Sequence, residues 1–199
     1  MRLLLATRNE HKRREFERLL ARADVPERWE LDLLPALVAL PPEDGQTFAE
    51  NALLKARAAA SATGKATIAD DSGIEAAALD GGPGVRSARY AGEHAGDDQN
   101  LSKLVREAPA GSRLQYRCAL AYVDPVRGSQ QLFEGSCAGR MAAAPRGTRG
   151  FGYDPVFLPD EGPGELTMAE LTEEQKDAIS HRGRAARALA GWLLGERSR

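Results

Sequence analysis

A chain of 199 residues, 42% apolar and 28% charged, is an ordinary globular mixture, long enough for one large domain or two closely joined lobes. A formal net charge of −2 and a pI near 6.0 do not point to nucleic acid as the main partner. The two cysteines, Cys118 and Cys137, lack C-x-x-C spacing, and no apolar run approaches the ~18 residues of a membrane span. A thiolate metal framework, a disulfide lattice and a membrane role are therefore not expected, and a reducing cytoplasm is.

Arg2 to Ala6 is a short apolar run that reads as a first, buried strand, too short for a signal peptide. Thr7-Arg8-Asn9 is a turn, with Thr7 or Asn9 available to cap a helix from Glu10 to about Arg22. Leu31 to Leu40 suggests a strand running into the Pro41–Gly45 loop. Thr47-Phe48-Ala49-Glu50 fits a capping box and predicts a helix from Phe48 to about Ser61, closed by Gly64. Ala66 to Ala69 reads as a short strand delivering Asp70 and Asp71 at its carboxyl end. Ile74 to Leu79 extends the sheet or turns, and Asp97 is expected to cap a helix from Asp98 to Glu107. Leu114–Val123 and Gln130–Met141 read as two long strands around a turn at Asp124–Gly128, and Pro145–Pro163 as loop. A second capping box at Thr172–Gln175 opens a short helix, and a last one runs from Arg182 to about Leu194. Strands alternating with helices, plus a hairpin, indicate an α/β protein with a mixed sheet.

The informative residues are polar groups in apolar settings. Lys12 shares a helix face with Phe16; Lys55 shares one with Phe48, and Asn51 lies between them. An ammonium on a core-facing stripe needs a partner, or its stem must snorkel to water. Asp70 and Asp71 supply the opposite sign. Hard carboxylate oxygens suit Mg²⁺, which takes one or two of them and completes its shell with water and phosphate oxygens. The plain alternative is that one aspartate caps the turn at Ser72-Gly73 and the other is solvated. Glu43 is a candidate second acid, equal to Asp44 by loop position alone. Phosphate-loop, dinucleotide and nucleophile-elbow motifs are absent, so phosphates would meet lysines, a metal and turn amides. Phe151-Gly152-Tyr153-Asp154 either stacks a planar ring or anchors its own loop. Ser180-His181-Arg182 lies at a helix junction, where the pair either donates to a ligand carbonyl or caps the preceding helix.

Six segments in this order, "LLATRNEHK", "TFAENALLKA", "IADDSG", "GGPGVRSARYAG", "GFGYDPVF" and "LTEEQKDAISHRG", resemble the inosine/xanthosine triphosphate pyrophosphatases over nearly the whole chain. The resemblance implies an elongated mixed β-sheet flanked by helices, in two lobes with the active cleft between them, and a homodimer. It implies hydrolysis of ITP, dITP and XTP to the monophosphate and pyrophosphate. The family's T-G-N-x-x-K falls on Thr7, Arg8, Asn9, Glu10, His11 and Lys12, with Asn9 and Lys12 on the phosphates and arginine where the family has glycine. Arg8 would contact phosphate, point outward, or be strained if the backbone there needs positive φ.

The same resemblance places Lys55 and Lys176 on the phosphates, Asp71 as catalytic acid and Ser72 as a ligand contact. Glu43 and Asp71 become the Mg²⁺ ligands, and Phe151, Gly152, Tyr153, Asp154, His181 and Arg182 the base-recognition residues. Water would attack the α-phosphorus, with Asp71 as general base or chiefly as a metal ligand. Donors from His181 and Arg182 would favour a 6-oxo purine over adenine, a discrimination worth about 10⁴-fold. Two alternatives are a pyrophosphatase for other modified nucleotides and a non-catalytic nucleotide-binding regulator.

Overall fold

The computed structural model describes residues 2–21 and 30–197. In chain order the elements are β1 (Arg2–Leu5), α1 (Glu10–Ala21), β2 (Glu30–Leu33), α2 (Phe48–Thr63), β3 (Thr67–Ala76), α3 (Asp97–Glu107), β4 (Arg113–Asp124), β5 (Ser129–Met141), β6 (Phe157–Pro159), α4 (Glu173–Ile179) and α5 (His181–Arg197). Short 3₁₀ turns cover Ala77–Leu79, Gly84–Arg89 and Asp154–Val156. The six strands form one sheet in the order β2-β1-β3-β4-β5-β6. β1 is parallel to both β2 and β3, and β5 is antiparallel to β6, so the sheet is mixed.

Local chemistry accounts for the helix starts. Thr47 accepts the Glu50 N–H while the Glu50 carboxylate accepts the Thr47 N–H, and Gly64 closes α2 in the left-handed region at φ 67°. Thr172 and Gln175 repeat the reciprocal pair at α4. Each such cap is worth about 1 kcal/mol. Asn9, not Thr7, caps α1: its Oδ1 accepts the Lys12 N–H, while Thr7 Oγ1 accepts the Asn9 N–H. At the turn between β4 and β5, Asp124 Oδ1 accepts the N–H groups of Val126 and Arg127, and Gly128 takes positive φ.

Several boundaries differ from the sequence reading. The strand expected to end at Ala69 continues to Ala76, so Asp70 and Asp71 lie within β3 rather than at its end. Gly96, not Asp97, is the N-cap of α3. The apolar run from Leu31 yields only the short β2. Residues 145–163, read as loop, contain β6, whose Pro159 is tolerated on an edge strand. The expected end of α1 at Arg22 lies outside the described residues.

The chain divides into two compact units: Met1–Asp71, Cys118–Gly135 and Arg182–Arg199 form the first, and Ser72–Arg117 and Ser136–His181 the second. In the first, strand alternation sends successive side chains into two cores. Leu3, Leu5, Ile68, Cys118 and Leu120 join Phe16 of α1 and Leu189 of α5. Leu4, Ala6, Ala69, Ala119 and Ala121 join the alanines of α2. The second unit packs Ile74, Leu104, Tyr116, Met141, Tyr153, Phe157 and Met168 into its own core. There Gly73 is required by close approach: a Cβ would collide with the Ser87 hydroxyl and the Gly84 carbonyl. Among the described residues, no helix is long and apolar enough to cross a membrane.

Candidate functional site

In the first unit, the continuation of β3 separates the two aspartates. Ile68 belongs to the core shared with α1 and α5, and Ala69 to the core shared with α2. With period two, Asp70 follows Ile68 and Asp71 follows Ala69, onto opposite faces of the sheet. Adjacent like charges are tolerable because cations from both sides, Lys12 and Lys55 among them, act on both carboxylates.

Asp70 is 1% exposed and meets cations from both helices on its face. Lys12 Nζ of α1 stands 3.0 Å from Asp70 Oδ2. Arg182 of α5 donates from Nε to the same oxygen at 3.4 Å and from Nη1 to Glu15 Oε2 at 3.0 Å. Burial pushes the Asp70 carboxyl up, but Lys12, Arg182 and Lys55 together hold it well below the usual carboxylate range. Arg182 is itself 6% exposed. The sequence reading places its donors on a purine; without a ligand they meet Glu15 and Asp70. Cys118 is buried among these groups, and burial pushes its thiol well up, so it is not a nucleophile.

Asp71 faces α2. Asn51 Nδ2 donates to Asp71 Oδ2 at 2.9 Å, and Asn51 Oδ1 accepts the Gly45 N–H at 2.7 Å. Lys55 donates to the Asp70 carbonyl at 2.7 Å and pairs with the Glu43 carboxylate. Burial raises the proton affinity of Asp71; Lys55 and Lys12 oppose the shift, and Glu43 adds to it. Burial likewise disfavours the charged Lys55, but Asp70, Glu43 and Asp71 outweigh it and hold the ammonium above its ordinary pKa. Neither Lys12 nor Lys55 therefore snorkels freely to water; each is fixed against carboxylates.

Among the described residues, Glu15, Glu43, Asp70 and Asp71 thus lie with Lys12, Lys55 and Arg182. A hard divalent cation on Glu43 and Asp71 would offset the carboxylate charge that a polyphosphate meets there. Among the described residues, no three His, Cys, Asp or Glu side chains form a metal cage. One or two carboxylates is the donor set Mg²⁺ uses when phosphates complete its shell, so the residues fit that ion.

Arg8 is not strained, and its exposed side chain is held by backbone carbonyls. Asp80 is the positive-φ non-glycine residue among those described, and Arg8 has ordinary backbone geometry. Its guanidinium donates to the carbonyls of Leu34, Pro35, Ala36 and Val38 at 2.9–3.2 Å. Glu10, expected among substrate contacts, is exposed and paired with Arg13 and Arg14; His11 is exposed beside it.

The second unit builds a different arrangement. Asp154, 3% exposed, accepts from Lys176 Nζ at 2.6 Å, from the Phe151 N–H at 3.0 Å and from the Tyr116 hydroxyl at 3.1 Å. Gly150 takes φ +73°, and a Cβ there would collide with the Asp154 carboxylate. Lys176 Nζ lies 5.1 Å from the centroid of the half-buried Phe151 ring. The His181 ring stacks on Tyr116 with centroids 4.6 Å apart and planes at 10°. Asp154 and Tyr153, expected as ligand contacts, also anchor the loop: Asp154 accepts the bonds above, and the buried Tyr153 donates its hydroxyl to the Ser87 carbonyl at 2.7 Å. Burial pushes the Tyr153 phenol well up. The Gly152 N–H is taken by Asp97 at 3.1 Å. Lys176, expected on phosphates, sits with the aromatic loop. Ser72 is half-buried within β3.

Sequence reasoning missed Glu15, Tyr116 and the role of Asn51 as orienter of Asp71. Glu15 had a signal, being an acid beside Phe16 on a helix face that enters a core. Tyr116 had none, because its partners lie 38 and 65 positions away in the chain.

The Ham1 family model matches residues 3–192. A dITP/XTP pyrophosphatase of Cutibacterium acnes is 46% identical, covering 94% of both chains. One from Geobacillus kaustophilus is 47% identical, covering 94% of this chain and 91% of its own. A solved HAM1 protein from Coxiella burnetii superimposes with a TM-score of 0.84 at 36% identity, covering 98% of this chain and 99% of that one. The dITP/XTP pyrophosphatase structure from Mycobacterium abscessus gives 0.71 at 42% identity, covering 95% and 98%.

Proposed function

This chain belongs to the Ham1 family, and from that premise we propose that it hydrolyses dITP, XTP and ITP to the nucleoside monophosphate and pyrophosphate. The observation that supports this best is the convergence of Lys12 and Lys55, from two helices, on adjacent aspartates of one strand. Water attacks the α-phosphorus, and the bond to the bridging oxygen breaks, releasing pyrophosphate. Asp71 takes the proton of the attacking water, and burial makes it a stronger base than an ordinary carboxylate. Asn51 orients that carboxylate. Lys12 and Lys55 stabilise charge gathering on the phosphate oxygens, and Asp70, clamped by Arg182, aims the Lys12 ammonium. Glu43 and Asp71 would hold Mg²⁺, which when bound supplies positive charge beside the phosphates.

In the second unit, Phe151 offers a face for a planar base. His181, oriented by Tyr116, and Lys176, held by Asp154, are the donors suited to a 6-oxo group. Adenine presents donors there and would be rejected. A cytoplasmic homodimer completes the proposal; light scattering of the purified protein tests the dimer.

The decisive assay is pyrophosphate release from dITP, XTP, GTP, ATP and methylated pyrimidine triphosphates, with and without Mg²⁺. Rapid turnover of dITP and XTP alone, dependent on Mg²⁺, is expected. Preference for a modified pyrimidine would replace the substrate assignment. Tight nucleotide binding without turnover would make the protein a regulator.

A further inference from the structure

Arg8 follows β1 and immediately precedes Asn9, the cap of α1, so its backbone is held by the turn that also positions Lys12. Its side chain reaches the other way. Nη1 donates to the Leu34 carbonyl at 3.2 Å, and Nη2 faces the carbonyls of Pro35, Ala36 and Val38 at 2.9, 3.2 and 2.9 Å. These acceptors crowd together because residues 35–38 form a tight turn, closed by the Val38 N–H on the Pro35 carbonyl at 3.0 Å. Four carbonyls at one point repel one another, and the planar, permanently charged guanidinium bridges them as a lysine ammonium could not.

The turn leads directly to Glu43. Leu34 is buried, and Val38 and Leu40 pack against the core shared by β1 and α2. Pro41 and Pro42 follow, with φ fixed by their rings, so little freedom separates Val38 from Glu43. Beyond Glu43, the Gly45 N–H is pinned by Asn51. The segment is thus fastened at both ends, by Arg8 and by Asn51, with the Glu43–Lys55 pair between them.

We propose that Arg8 is a positioning residue, which tethers residues 34–38 and thereby sets where Glu43 stands beside Lys55. Arg8 acts on the triphosphate only through Glu43. The activity measurements below rest on the functional reading given above; the exchange measurement does not.

The test compares Arg8→Ala and Arg8→Lys with the parent protein. In both variants the amides of Val38 and Gly45 exchange hydrogen faster, while those of β1 and β3 keep their protection. The Mg²⁺ concentration for half-maximal turnover of dITP rises about tenfold, as when a ligand loses its outer support. KM for dITP at saturating Mg²⁺ is unchanged, and adding Arg8→Ala to Glu43→Gln costs nothing beyond Glu43→Gln alone. Unchanged exchange with a raised KM would show Arg8 to be a direct phosphate ligand and overturn the proposal. So would losses in the double variant that simply add. If no triphosphate is hydrolysed by the parent, the functional reading falls, and the tether is judged on exchange alone. If Arg8→Ala melts too low to assay, Arg8→Lys carries the same comparison.

Discussion

Each unit buries a lysine against an aspartate. Lys55 and Lys176 are both 6% exposed, yet their surroundings differ in kind. Lys55 lies in the field of three carboxylates, Asp70, Glu43 and Asp71. Lys176 pairs with Asp154 and lies near an aromatic ring. The first arrangement gathers several carboxylates and is suited to a metal ion and a polyanion. The second sets an ion pair beside an aromatic face, suited to a ring with a carbonyl edge. Equal burial therefore says little about role; the sign and number of neighbours decide it.

The comparison breaks most directly at Asp71. Asp71→Asn should lower kcat for dITP by about 10³-fold or more, the scale for losing a base within a preorganised charge cluster. Its melting temperature should hold, and near-normal turnover would remove Asp71 from the chemistry. Next comes the pair of lysines. Lys55→Met leaves neighbouring carboxylates uncompensated and should cost about 3–5 kcal/mol in urea unfolding, the range for stripping a partner from a buried charge. Lys176→Met leaves Asp154 with the Phe151 N–H and the Tyr116 hydroxyl, so it should cost less and instead narrow the dITP-over-ATP preference. Equal stability losses would erase the distinction drawn here.

Acid sensitivity sharpens it further. The Asp70 carboxyl is held below its ordinary range, so its ion pairs contribute fully above the unfolded carboxylate pKa and are lost as pH falls through the folded one. Asp70→Asn should therefore lower stability at neutral pH and flatten its decline below about pH 4, measured by urea unfolding across pH. Asp71 has the opposite sign. Its carboxyl is held above the ordinary range without metal, and Mg²⁺ on it would act the other way, so the acid limb of turnover should move to lower pH as Mg²⁺ is raised. Asn51→Leu removes a hydrogen bond that favours the charged form and should move that limb up at fixed Mg²⁺; an unmoved limb would mean another group titrates. The smallest effect is expected in the second unit. Tyr153→Phe loses one buried hydrogen bond to the Ser87 carbonyl, about 1 kcal/mol by calorimetry, with turnover unchanged.

Much of the first unit was legible in the chain. The capping boxes at Thr47 and Thr172 act within one helical turn, so four residues suffice to read them. Lys12 and Lys55 announced themselves by occupying apolar stripes, and both are found on carboxylates. The aspartate pair was read as the acidic half of a site with Lys12, Lys55 and Lys176; Lys12 and Lys55 lie beside it, Lys176 pairs with Asp154, and the pair's strand was ended too early. Ser72-Gly73 looks like a turn, whereas Gly73 is there because Ser87 approaches closely. That error hid the alternation that sends Asp70 and Asp71 to opposite faces.

Legible from the chain were the capping boxes at Thr47 and Thr172, the alternating α/β order, the two lysine-bearing faces and the family. Those follow from spacing along the chain, where the signal and the interaction share one or two turns. The contacts of Arg182, Arg8, Asp154 and Lys176 come only with the tertiary fold. Arg182 meets Asp70 across 112 positions and Glu15 across 167, and Arg8 reaches carbonyls up to 30 positions away. A guanidinium or a carboxylate has the same local signature whether it faces a ligand or a neighbouring chain segment. Which it faces is set by the packing of helices on the sheet.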